Sequence, residues 1–242
     1  MTVLMGVLGP IAHGLATEDC EPEVLGVYLS EAADLCGLQG PAALTRTYVS
    51  SDRLHTMHEL YRFVTLALEG DRAANELLWL GTHLVQTDAG RALIEIREAF
   101  LSAPCVRQAF GGVALQIFRR LGSPRHEFWD DVPADQAAEL TAEHARNCVR
   151  LLRQGRALLT TGQLMIDMSA QREDVFAAGE LATRNPKAFS TFVTKELAAL
   201  DSINSVLPDT PDTARVDAML VELRLASLQQ AAPAISTVQD TP

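Results

Sequence analysis

Glu21 and Glu23 flank Pro22 at the head of an apolar run, Val24 to Leu29, and their type and spacing suit them to chemistry. In a strand, side chains at i and i+2 share a face. Two neighbouring carboxylates repel each other and stay ionised together only when water or a cation screens them. A hard divalent cation with oxygen ligands is therefore a natural guest. Upstream, a second apolar run, Val3 to Leu8, feeds Gly9 and Pro10. A glycine turn lets backbone N–H groups approach an anion closely, as a phosphate requires. Metal on one strand and phosphate on the turn before it is nucleotide chemistry. The residues also fit a plainer arrangement, a solvated strand edge carrying both carboxylates, and Pro22 suits such an edge.

Gly9 to Val27 reads G-P-I-A-H-G-L-A-T-E-D-C-E-P-E-V-L-G-V. This resembles the N-terminal motif of the predicted nucleotidyltransferases of the DNA polymerase β superfamily, whose usual form is close to G-S-x-A-Y-G-L-x-T-x-x-S-D-x-D-x-x-G-V. Gly9, Ala12, Gly14, Leu15, Thr17, Gly26 and Val27 match it. Pro10, His13 and Cys20 stand where the family has Ser, Tyr and Ser, and Glu21 and Glu23 where it has two Asp. Leu54 to Leu80 is similar to the family segment D-x-x-x-H-E-x-x-K-F-V-R-L-A-L-x-G-N-P-x-x-x-E-L-L-W-L. Here Leu54 takes the slot of a third acidic residue and Asp71-Arg72 replaces Asn-Pro. Phe100 to Ser102, Ala109 to Arg120, His144 to Leu152 and Thr161 to Leu164 resemble further family elements in the same order, so the likeness spans roughly residues 3 to 225.

The resemblance implies an α+β fold: a small N-terminal polymerase-β-type sheet with helices, followed by a mostly α-helical C-terminal part. It implies transfer of a nucleoside monophosphate from an NTP, with Mg2+ (or Mn2+), to an unknown acceptor, protein or small molecule. Glu21 and Glu23 would be the catalytic carboxylates and metal ligands, and Gly9 the phosphate cradle. Arg146 and Arg150, four apart on one helix face, would meet the nucleotide, where Arg forks onto phosphate. A solvated helix face accounts for the same spacing.

The departures weaken that chemistry in physical terms. Glu carries one methylene more than Asp, so a site built for near-octahedral Mg2+ must shift or admit water. Pro10 removes a hydroxyl and an amide N–H at the turn. Leu54 removes the group that would deprotonate the attacking hydroxyl, a contribution typically worth about 10²–10⁴-fold. Weak transfer from a degenerate site is the expectation. The alternative is a catalytically inactive homologue acting as a nucleotide-binding or protein-interaction module.

His55, His58 and Glu59 have residue types that suit a transition metal, but their spacing is not that of a zinc helix, and satisfied or exposed histidines are expected. Substitution for the third carboxylate by Asp52 or Glu59 would need a shift of register. Trp79 is expected in the core.

With 242 residues, 48% of them apolar, the chain can bury a sizeable core. No uncharged apolar run is long enough to span a membrane, and the N-terminus lacks the features of a secretory signal, so a cytoplasmic location is expected. The formal charge of −11, with no clustered Lys/Arg stretch, argues against broad nucleic-acid binding. The four cysteines are widely spaced, which indicates reduced thiols rather than a zinc ribbon or disulfide framework.

The elements that must position these residues follow from period and punctuation. Val3 to Leu8, Val24 to Leu29 and Leu54 to His58 read as strands, and Leu60 to Leu68 as a helix ending at Gly70. Everything beyond reads helical: Asn75 to Leu84, Ala89 to Leu101, Pro104 to Leu121, a long helix from Pro133 to about Leu159 stopped by Gly162, Arg172 to Thr183, Pro186 to Ile203 and Asp212 to Leu228. Leu164 to Met168 is expected to add a short strand. Gly37 to Pro41 and Gly122 to Phe128 read as connections. The expected division is 1–120, 121–230 and a disordered tail, 231–242.

Overall fold

The computed structural model describes residues 1–18, 20–31, 34–35, 43–50, 53–122 and 133–235. The connection at Gly37 to Pro41, most of that after Gly122, Cys36, Asp52 and the end of the tail lie outside the described residues.

The fold is α+β. In chain order the elements are β1 (Thr2–Leu8), a one-turn α1 (Gly9–Ala12), β2 (Glu23–Tyr28), β3 (Thr45–Ser50), β4 (Arg53–Glu59), α2 (Leu60–Leu68), α3 (Arg72–Trp79), β5 (Val85–Gln86) and α4 (Asp88–Glu95). There follow α5 (Ala103–Val106), a π-helical stretch Arg107–Gly112, α6 (Val113–Leu121), α7 (Ala134–Thr161), α8 (Arg172–Arg184), α9 (Pro186–Asp201) and α10 (Thr213–Ile235).

The chain forms two compact units, residues 1–12, 16–100 and 211–242, and residues 13–15 and 101–210. The units therefore part after Phe100, earlier than the boundary at 120 that composition suggests. The helix after Pro211 belongs to the first unit and runs to Ile235, beyond the expected start of the tail at 231.

In the first unit five strands form a mixed sheet in the order β3-β4-β2-β1-β5. β1 runs antiparallel to β2, and β2 runs parallel to β4. Two strands escape the sequence reading. β3 is exposed along its whole length and so carries no hydrophobic alternation, and β5 has only two residues. Where a helix to Leu84 is expected, α3 stops at Trp79 and Leu80 is already extended; just beyond, Val85 pairs with Met5. Leu4, Leu25, Val27, Phe63, Leu77 and Leu93 lie in one buried cluster, to which α10 adds Val216, Met219 and Leu220.

In the second unit α7 is the long central helix, ended by Gly162 in the left-handed conformation (φ 72°), which a glycine adopts without steric cost. Gly111 makes room for a side chain of α9: a Cβ on it would stand 2.6 Å from Leu200 Cδ2. Arg107 caps the end of α9, donating to the carbonyls of Leu200 and Ile203 at 2.6 Å each. Leu164 to Met168 is not a strand. It is a segment without regular structure whose Met165 carbonyl accepts from the Gln154 side chain at 2.8 Å, and whose Met168 N–H donates to the His13 carbonyl at 2.9 Å. These partners take the backbone groups a sheet would have used.

Candidate functional site

β1 delivers the chain to Gly9, whose φ of 72° turns it into α1, and β2 begins opposite the end of β1 with Glu23 beside Leu8. On its other side Glu23 is in register with Leu54 of the parallel β4. A Cβ placed on Gly9 would lie 3.8 Å from the carboxyl carbon and Oε2 of Glu23, so the carboxylate borders the glycine turn at van der Waals distance. Gly9 and Glu23 thus form one corner. A phosphate at that turn would meet an anion, and the two are compatible only with a cation between them.

Glu21 precedes the strand, which starts at Glu23, so strand alternation does not by itself set its direction. Both carboxylates are exposed. A hard cation that keeps most of its waters can be held by one or two carboxylates, and of these two it is Glu23 that borders the turn. Among the described residues no group of three or more His, Cys, Asp or Glu side chains is arranged for a metal.

The position next to Glu23 on β4 belongs to Leu54, whose side chain is 51% exposed. Glu59 does not replace it. It lies five residues on, ~16 Å along the strand, and is wholly buried, with Oε2 accepting the Tyr61 N–H at 2.7 Å as the cap of α2. Asp52, the other candidate, is outside the described residues.

His55 and His58, adjacent to this edge, do not converge. Strand alternation sends them to opposite faces of β4. His55 stacks on Tyr48 with ring centroids 5.1 Å apart, and His58 Nδ1 lies 2.9 Å from Thr45 Oγ1. Burial holds the His58 imidazole below the usual histidine value of 6.5, with Asp71 opposing the shift and Arg62 adding to it. The unfolded chain therefore binds the proton more readily than the fold. The contribution of His58 is fully present above 6.5 and is lost as the pH falls through its lower folded value. We expect the Tm to fall more for the native protein than for His58→Gln between about pH 7.5 and about pH 5.5. Parallel melting curves would refute this.

Arg146 and Arg150 lie in the second unit, and each is engaged there. Arg146 pairs with Glu139 at 2.7 Å, its guanidinium 4.9 Å from the Phe176 ring centroid. Arg150 is buried, donating to Asn147 Oδ1 from Nε (3.2 Å) and Nη2 (2.7 Å) and to Gln154 Oε1 from Nη1 (2.6 Å). Its Nη1 also lies 3.3 Å from Nε2 of the buried His13. The Arg150 fork thus donates to protein acceptors, and it is buried rather than on a solvated face. Gln154, buried at the centre of this network, carries no motif signal, whereas His13 stands at a position that departs from the motif the chain resembles.

Trp79 packs against the core, with the Arg97 guanidinium 4.3 Å from its ring centroid. Cys148 is buried, its thiol pushed up to about 12 by burial and donating to the Ala114 carbonyl, so it is inert as a nucleophile. No helix among the described residues is long and apolar enough to cross a membrane. No protein-family model matches the chain, and no significant match to a curated protein is found.

Proposed function

We propose that this chain is a nucleotidyltransferase-like protein of the DNA polymerase β type that holds an NTP with Mg2+ or Mn2+ at the Gly9–Glu23 corner and transfers the nucleoside monophosphate weakly. The observation that carries this reading is the juxtaposition of the Glu23 carboxylate with the Gly9 turn. Bound there, the cation would neutralise phosphate charge and the leaving pyrophosphate. The chain's own part is to anchor that charge with Glu23, aided by Glu21, and to bring the turn's backbone close. The acceptor would be a protein or small molecule in the cytoplasm.

A second reading is favoured by the register of Leu54 with Glu23: an inactive relative that keeps the corner for nucleotide binding, or only the fold for partner recognition. Thermal stabilisation by NTP with Mn2+, abolished in Glu23→Ala, is expected for transfer and for nucleotide binding without transfer, since a ligand held only by the native state raises stability. Pyrophosphate release separates them. If the corner is catalytic, Leu54→Asp, at an exposed position, raises that release by about 10²-fold by supplying the absent base. If it only binds, Leu54→Asp leaves turnover at zero. Absence of any shift with every NTP would refute transfer and nucleotide binding alike, and leave only partner recognition.

A further inference from the structure

The second unit carries a groove of about 460 Å3 between the C-terminal half of α7, the Met165 segment and α9. Ala157, Met165 and Phe192 supply apolar surface, while Arg153, Arg156 and Glu196 supply charge. Arg153 and Arg156 are three apart on α7, so both guanidiniums reach the same side. Arg156 is held loosely, whereas Arg153 donates three hydrogen bonds to exposed or half-buried acceptors. Arg153 meets the exposed Asp174 at 3.3 Å and Gln171 at 3.1 Å, and the half-exposed Arg156 lies 3.8 Å from Glu196, beyond hydrogen-bond length. Solvent-screened pairs of this kind cost little to exchange for a better acceptor. Each guanidinium faces one carboxylate, Asp174 for Arg153 and Glu196 for Arg156, so an incoming anion would take the place of a screened partner.

We propose that this groove binds a small planar anion, an aromatic ring lying against Met165 and Phe192 with its carboxylate or phosphate on Arg153 and Arg156. The volume falls in the range of small-ligand pockets, and an apolar floor with a few convergent polar groups is how such pockets orient a ligand. Guanidinium binds either anion through paired N–H donors, so the arginines accept both classes. Glu196 restricts the site to a single anionic group or accepts an N–H or O–H of the ligand.

The test uses the full-length protein and fluorine NMR line widths of three probes, 4-fluorophenyl phosphate, 4-fluorobenzoate and 4-fluorophenol. Broadening is expected for one or both anions and not for the phenol, and the stronger anion identifies the class. Arg156→Ala and Phe192→Leu are each expected to weaken binding at least about tenfold, with inorganic phosphate a poor competitor. Arg156 is exposed enough to be replaced without unfolding the unit, and the milder Phe192→Leu keeps an apolar side chain there. Absence of broadening with both anions, equal binding of the phenol, or binding that neither substitution changes would overturn the proposal.

Discussion

Gly90→Ala is expected to destabilise the first unit by about 3 kcal/mol or more, at the upper end of what overpacking costs. A methyl on Gly90 would stand 2.3 Å from the carbonyl oxygen of Val3 and 3.2 Å from its carbonyl carbon. These are backbone atoms of β1 and cannot swing aside like the tip of a side chain. The same oxygen accepts two hydrogen bonds from Thr87, from its N–H and from its hydroxyl, at 3.0 Å each. Pushing the strand away therefore opens the junction of β1 and α4 as well as the contact. Circular dichroism melts check this against Gly81→Ala, where an added methyl meets nothing within 4 Å. Gly81→Ala should melt near the native protein, and equal melting of Gly90→Ala would refute the argument.

The second large effect concerns the attachment of α10. Arg224 reaches from that helix toward Glu59, with Nη2 3.9 Å from Oε2, and its guanidinium lies 5.9 Å from the Tyr61 ring centroid. Glu59 is wholly buried, and its Oε1 and the Arg224 Nε lack hydrogen-bond partners. A buried carboxylate with one backbone hydrogen bond and one loose ion pair depends heavily on that cation. Arg224→Met should cost about 2–3 kcal/mol, below the full penalty for breaking a buried pair because Arg224 keeps some solvent contact. Glu59→Met with Arg224→Met should recover much of the loss, because no uncompensated charge remains. Urea unfolding of the two single variants and the double variant measures the coupling, and strict additivity would sink the claim.

Much of the sheet is legible before folding. Val3 to Leu8 and Val24 to Leu29 are apolar runs of strand length, and the structure assigns Thr2–Leu8 and Glu23–Tyr28. The long helix from Pro133 to Gly162 is legible for the same local reasons, a proline at its start and a glycine past its end. What stays hidden is structure held by a neighbour. Val85–Gln86 is a strand only because Met5 and Leu4 lie beside it, and β3 pairs with β4 while showing water both of its faces.

The candidate site divides along the same line. Local sequence determined Gly9 as a turn, Glu23 at the head of a strand and the chemical types available there. Only the tertiary structure decided that Glu23 borders Gly9 and stands in register with Leu54, that Glu59 is buried against a helix more than 150 residues later in the chain, and that the Arg150 fork is occupied by Asn147 and Gln154. The physical reason is range. Backbone conformation and burial period act over a few residues, whereas strand register and the partners of a charged side chain are set by whichever distant segment packs against them.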